Sequence, residues 1–169
     1  MSGHDLVAPS PWVVRWGSLI ERGDVLDVAC GTGRHSKWFV ERGIPVVAVD
    51  RVRQSIPGAR FVQADLETGR GWPFRTERFA GIVVTNYLHR PLFADLRASL
   101  APDGLLIYET FMLGNERYGK PSNPSFLLQP GELLAAFADL QVLAFEQGRV
   151  KTPKTAVIQR LCAIAKEKV

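Results

Sequence analysis

Residues 25–39 read VLDVACGTGRHSKWF. An apolar run breaks at Ala29-Cys30-Gly31-Thr32-Gly33 and resumes with residues that suit a helix. Two glycines set two apart at such a junction let the backbone turn sharply and approach a ligand with no Cβ in the way. The carboxylate of Asp27 stands just before them. A ligand at the junction is indicated; which ligand has to come from the rest of the chain.

Working outward, short apolar runs recur between turn residues at 25–29, 45–49, 60–64, 81–85, 105–109, 142–145 and 157–164. Helical patterns lie between several of them, at 34–42, 91–100 and 131–140. Upstream, Ser10 and Pro11 read as an N-cap and first helical residue. Trp12, Trp16, Leu19 and Ile20 follow at helical spacing, and Gly23 ends that segment. Short apolar strands alternating with helices indicate one α/β domain over residues 1–169, with a parallel sheet covered on both faces. The last two runs are joined through 147–155 without a helix, so the final strand is expected to run antiparallel. Only 14 residues separate Asp50 from Asp65, too few for strand ends and a full crossover helix. Ile56-Pro57-Gly58 would stop a helix there in any case. Such thin cover places Val52, Ile56 and Phe61 near the surface, where an apolar patch would suit a homodimer contact.

The composition, 46% hydrophobic and 22% charged over 169 residues, is that of a globular chain. No apolar run reaches membrane-spanning length, and the opening MSGHDLVAPS lacks a signal-peptide pattern. Cys30 and Cys162 are too few for a disulfide framework and read as reduced thiols of a cytoplasmic protein. No metal site is expected. The net charge of +4 is spread evenly, with 11 Lys/Arg against 9 Asp/Glu in residues 1–85 and 10 against 8 in residues 86–169. A nucleic-acid binder usually concentrates its cations, so a pI of 9.3 points only weakly to such a partner.

Ligands of open parallel sheets bind beyond the carboxyl ends of the strands, where strand order reverses. A dinucleotide there wants G-x-G-x-x-G. The corresponding positions are Gly31, Gly33 and Ser36, without the third glycine, and Asp27 would repel a pyrophosphate. A carboxylate there suits a ligand with an ammonium or sulfonium group instead. Asp50, ending the second strand, can accept two ribose hydroxyls. Asp65, in Gln63-Ala64-Asp65-Leu66, offers an oxygen to an adenine amino group, and the next N–H offers a donor to a ring nitrogen. Each Asp alone is a plausible turn former; three at three successive strand ends are harder to explain that way.

With these residues in view, the chain resembles a class I S-adenosylmethionine-dependent methyltransferase along nearly its whole length. VLDVACGTG resembles the first motif, VVAVD the second and FVQADLE the third. WPFRTERFAGIVVTNYLH resembles the entry to the fourth strand, and LAPDGLLIYETF the turn and fifth strand. The small bacterial methyltransferases of the tellurite-resistance type are the nearest relatives suggested. The resemblance implies a doubly wound, mostly parallel, seven-stranded Rossmann-like sheet with the last strand antiparallel. It implies S-adenosylmethionine as cofactor and S-adenosylhomocysteine as product. The methionyl part would lie among Asp27, Ala29, Cys30, Gly31 and Gly33, and the ribose at Asp50 beside Arg51. Asp65 and Leu66 would take the adenine, and Asn86 would line the site. Ala29 stands where the family often has its first glycine, and Ala80 where an acidic residue is usual. The short crossover removes much of a helix that normally walls the adenine side.

Methyl transfer needs mainly in-line positioning, with a base for acceptors of high pKa. Candidates for that role are Tyr87 and His89 after the fourth strand and Glu109 and Thr110 on the fifth; His89 alternatively caps the helix at Pro91. The polar, broken segment 112–130 reads as a lid or binding loop. Tyr118 and Lys120 on it, with Lys151 on the 147–155 connection, are candidate acceptor-binding residues. Together with Arg117, Arg149 and Lys154 these cations would rim a pocket for a small, anionic acceptor. Methylation of RNA or protein is the alternative, as is cofactor binding without catalysis. A dehydrogenase is disfavoured, since no tyrosine has a lysine four residues on.

Overall fold

The computed structural model describes residues 8–166. Seven strands form one sheet: β1 Val25–Val28, β2 Val46–Asp50, β3 Arg60–Gln63, β4 Phe79–Thr85, β5 Leu100–Phe111, β6 Gln141–Val150 and β7 Ala156–Ile164. Their order is β3-β2-β1-β4-β5-β7-β6. The first five run parallel, and β7 runs antiparallel to both β5 and β6, so the reversed final strand is observed. Strand order reverses between β1 and β4, which puts the glycine turn at the crevice where such sheets bind ligands.

Alternation along the strands divides the core into two layers. Leu26, Val28, Ile82, Val84, Leu106 and Tyr108 face one side. There they meet Leu96 of α3 (Phe93–Ser99) and Leu133 of α4 (Glu132–Ala136). Val25, Val83, Leu105 and Ile107 face the other side, under Trp12 and Val13 of α1 (Pro11–Gly17) and Phe39 of α2 (Arg34–Glu41). α1 starts as capping chemistry requires, with the Ser10 hydroxyl accepting from the Trp12 N–H and Pro11 in the first turn.

Three differences from the sequence expectation have physical causes. β6 continues through Val150, and only 151–155 join it to β7, because Gly148, Arg149 and Val150 pair with Ile158, Val157 and Ala156. An edge hairpin with polar, exposed residues shows no apolar run. β5 begins at Leu100 rather than 105, through a pairing with Phe79 that precedes a register shift. The helix expected over 131–140 shortens to Glu132–Ala136.

No helix joins β2 to β3. Ile56 does the covering instead: it is only 5% exposed and packs with Cys30, Ala48, Ala59 and Phe61. This corrects the expectation that Ile56 lies at the surface; Phe61 is half-buried, and only Val52 stands out, at 54% exposure. The β3–β4 connection also lacks a helix. Trp72, Phe74 and Phe79 stack edge to face there, at centroid separations of 5.2 and 5.4 Å, and the Trp72 indole N–H donates to the Ser99 hydroxyl at 2.8 Å.

If Ile56 replaces a helix, Ile56→Ala should cost about 2–4 kcal/mol in urea unfolding, as deletions in a packed core do. Val52→Ala should change stability by less than about 0.5 kcal/mol. Equal effects would put Ile56 back at the surface.

Candidate functional site

The backbone is left-handed at Ala29, Gly31 and Gly33, with φ of +52°, +54° and +84°. Ala29 holds that conformation at a cost of about 1 kcal/mol that glycine would avoid. The two glycines are there for different reasons. A Cβ on Gly31 would meet nothing within 4 Å, so the turn is open in front of it. A Cβ on Gly33 would lie 2.6 Å from the Cδ1 of Ile56, so the turn is closed beneath it.

Carboxylates surround this turn. Asp27 is 1% exposed, and its Oδ2 accepts from the Ser36 N–H at 3.1 Å and the Ser36 hydroxyl at 2.6 Å. Burial nevertheless pushes its pKa up to about 6. Asp50 spans two segments: Oδ2 accepts the Gly31 N–H and Oδ1 the Val52 N–H, each at 2.9 Å. Asp65 is exposed beyond β3, where Oδ1 accepts the Glu67 N–H at 3.0 Å. Arg51 is exposed and Leu66 packs against the core. Cys30 is buried, and burial followed by the charges of Asp27 and Asp50 pushes its thiol up to about 12, which keeps it protonated. Pairing of Val28 with Val49 and Val84, and of Asp50 with Gln63, aligns the carboxyl ends of β3, β2, β1 and β4 in one row.

Behind the turn runs a buried polar network that the sequence did not reveal. The Ser10 N–H donates to Nε2 of His35 at 3.0 Å, and Nδ1 lies 3.4 Å from the Thr85 hydroxyl. Nε2 therefore accepts, and Nδ1 carries the proton. Burial, aided by the Arg34 charge, lowers the His35 pKa to about 3, so the ring is neutral. The Ser10 hydroxyl donates to Oε1 of Glu109 at 3.0 Å, and Nε of Arg160 donates to Oε2 at 2.6 Å. Glu109 thus has both oxygens engaged, which leaves it poorly placed to act as a base. These contacts join residues 25, 99 and 51 positions apart, and no local spacing announces them.

Beside the row of strand ends lies a cleft of about 220 Å³, lined by Glu67, Asn86, Tyr87, Leu88, Thr110, Phe111, Pro121 and Phe126. Asn86 is left-handed at φ +52°, its N–H donating to the Glu109 carbonyl. The Tyr87 phenol is half-buried; burial, then the charges of Glu67 and Asp65, hold its pKa well above the usual range. His89 does not cap the 3-10 turn Arg90–Leu92 with its side chain; its Nδ1 lies 3.4 Å from Oε1 of Glu67 instead. Glu67 itself was not foreseen; its only signal was a second carboxylate two residues after Asp65.

The segment after β5 is anchored. Leu127 and Leu128 are fully buried, Met112 bridges to Leu128, and the Asn115 side chain donates to the Pro121 carbonyl and accepts from the Val157 N–H. Tyr118 and the cations Arg117, Lys120, Arg149, Lys151 and Lys154 are all exposed. None of them lines the cleft. Among the described residues no group of His, Cys, Asp and Glu side chains is set to hold a metal, and no helix is long and apolar enough to cross a membrane.

A family model described as a methyltransferase domain matches residues 8–122. No curated protein sequence matches the chain significantly. Among solved structures, an S-adenosylmethionine-dependent methyltransferase from Methanosarcina mazei is similar at TM-score 0.71 and 14% identity, over 95% of this chain and 100% of that one. TehB from Haemophilus influenzae is similar at TM-score 0.77 and 16% identity, over 96% of this chain and 64% of that one. The 1,6-didemethyltoxoflavin-N1-methyltransferase of Burkholderia thailandensis, solved with its heterocycle and S-adenosylhomocysteine bound, is similar at TM-score 0.66 and 21% identity, over 93% and 77%. The seven-stranded sheet is thus the Rossmann-like fold of class I methyltransferases.

The buried charges make a pH prediction. The folded pKa of Asp27, about 6, lies above its ordinary value of 3.8, so its ionisation costs stability above pH 6 and nothing below pH 4. His35, held near 3 against 6.5, has the opposite effect, contributing stability that is lost as pH falls below 6.5. In the wild type the two slopes offset each other between about pH 4 and 6. Asp27→Asn should be about 1–3 kcal/mol more stable than wild type at pH 7, with the gap closing near pH 4. Urea unfolding at pH 4, 5.5 and 7 reads this; parallel curves would refute it.

Proposed function

The chain belongs to the methyltransferase-domain family, and on that footing we propose that it binds S-adenosylmethionine at the Gly31 turn and transfers the methyl group to a small molecule in the adjoining cleft. The observation that carries this reading is the open face of Gly31, whose N–H donates to the Asp50 carboxylate. A Cβ there would enter free space, the shape of a cradle for a ligand that comes close to backbone. The donor set suits the cofactor: anionic oxygens fit hydroxyl, amino and ammonium groups and disfavour a pyrophosphate.

Bound, the cofactor supplies a methyl group on a positive sulfur, an electrophile that needs aim more than activation. Each oxygen of Asp50 already accepts one backbone N–H and retains capacity for a ribose hydroxyl. Asp65 and the Leu66 N–H serve the adenine, Arg51 flanks the ribose, and Asp27 faces the ammonium end. Ala29, Cys30 and Gly33 shape the turn, and Asn86 stands between cofactor and acceptor. In the cleft, Tyr87 keeps its proton and donates a hydrogen bond. His89, next to Glu67, is the better candidate to receive a proton, because Glu109 is committed to Arg160 and Ser10. Tyr118, Lys120 and Lys151 lie outside the lining and guide an approaching acceptor at most. A small acceptor is in keeping with the Burkholderia thailandensis neighbour, whose bound acceptor is a small heterocycle.

Incubation with methyl-labelled cofactor and fractionated cell extract tests this. Label should pass to a molecule that crosses a small-pore filter, and Gly31→Val should reduce the transfer at least about tenfold, since its side chain fills the cradle. Label retained on RNA or protein would favour the macromolecular alternative. No transfer to any fraction would favour cofactor binding without catalysis.

A further inference from the structure

The cleft has a chemistry of its own, which bears on the acceptor and rests on the cofactor reading above. Three aromatic side chains line it, Tyr87 after β4, Phe111 at the end of β5 and Phe126 on the anchored loop, beside Leu88 and Pro121 and the neutral polar groups of Asn86 and Thr110. Phe126 is 51% exposed although Leu127 and Leu128 beside it are fully buried. Arg90 holds it there. Its Nη1 donates to the Ser125 carbonyl at 3.1 Å and its Nη2 to the Leu127 carbonyl at 2.9 Å, the two carbonyls that flank Phe126. Glu132 grips the same guanidinium through two hydrogen bonds, at 2.7 and 2.9 Å. An aromatic ring left open on a backbone fixed at both sides is arranged as a stacking surface.

The charge on this lining comes from Glu67 alone. Its carboxylate is 45% exposed and is backed by the imidazole of His89. Asp65 adds a second negative charge near the Tyr87 phenol, and Arg51 a positive one. The loop cations that would favour an anion all stand outside. We infer that the cleft selects a planar aromatic acceptor bearing an N–H or amino group, its ring held against Tyr87, Phe111 and Phe126 and its nitrogen donating to Glu67. An aromatic carboxylate of the same size would meet Glu67 with like charge and find no cation on the wall.

Calorimetry separates this inference from the reading beneath it. S-adenosylhomocysteine is titrated first, alone. With that ligand saturating, tryptamine and 2-aminobenzimidazole are compared with 2-naphthoate, an aromatic acid that carries no N–H. Hydrogen bonds to charged groups typically change affinity by about tenfold or more. Both amines should therefore bind at least about tenfold tighter than the acid. Glu67→Gln should reduce that preference to about threefold or less without altering S-adenosylhomocysteine affinity, and Phe126→Ala should weaken the amines with the unfolding midpoint unchanged. Failure to bind S-adenosylhomocysteine overturns the cofactor reading and this inference with it. If S-adenosylhomocysteine binds but neither amine does, or the acid binds as well, or the preference survives Glu67→Gln, the inference alone is overturned.

Discussion

Ile56 occupies the space that a side chain on Gly33 would need, and the site is built on that contact. The crossover from β2 to β3 is too short for a helix, so a single buried side chain closes the sheet over Cys30 and Ala48. Seating Ile56 there draws the crossover against the turn. Asp50 holds both segments, one on each carboxylate oxygen, accepting the N–H of Val52 two residues on and that of Gly31 in the turn. The domain thereby fixes two loops at one strand end with no helix between β2 and β3. Gly33 supplies the close approach and Gly31 the open front. Exchanging the two roles would be impossible with the backbone as it stands.

The same end of the sheet carries a concentration of buried polar groups that a fold selected for stability alone would avoid. Asp27 is enclosed and retains only the Ser36 donors. His35 is held neutral between Ser10 and Thr85, and Glu109 between Ser10 and Arg160. The residue before α1 thus reaches both α2 and β5, tying the amino-terminal segment to the carboxyl ends of the strands. A charge that costs folding free energy at a ligand's position is understandable if the ligand brings the opposite charge. Catalysis by aim rather than by strong acid–base groups fits this arrangement, because the side chains with reactive chemistry are mostly committed to holding one another.

The sheet was legible because its evidence is local: apolar runs, turn residues and the spacing of strand-end carboxylates. Asp27, Asp50 and Asp65 could be placed at one edge without coordinates, since a parallel sheet sends every strand end to the same side. What escaped was carried by distant contacts or by polar surfaces. Ile56 looked exposed because no helix follows β2, and only the Gly33 contact shows where it goes. The polar half of β6 resembles a loop because its partner is β7 and its outer edge is solvent. The cations of the loops looked like a binding rim in sequence, yet anchoring by Asn115, Leu127 and Leu128 leaves them outside the cleft and brings Phe126 and Glu67 to it.

The central claim is that Asp50 and the Gly31 turn hold the ribose and methionyl parts of S-adenosylmethionine. It is tested most directly by titration calorimetry of S-adenosylhomocysteine and NAD into the wild type and into Asp50→Ala. Charge-assisted hydrogen bonds of about 1.5–3 kcal/mol each predict at least a tenfold loss of S-adenosylhomocysteine affinity in the variant, with the unfolding transition still cooperative. NAD, facing Asp27 with its pyrophosphate, should bind far more weakly than S-adenosylhomocysteine to the wild type. Preference for NAD, or an Asp50→Ala variant that binds S-adenosylhomocysteine as the wild type does, would contradict the account.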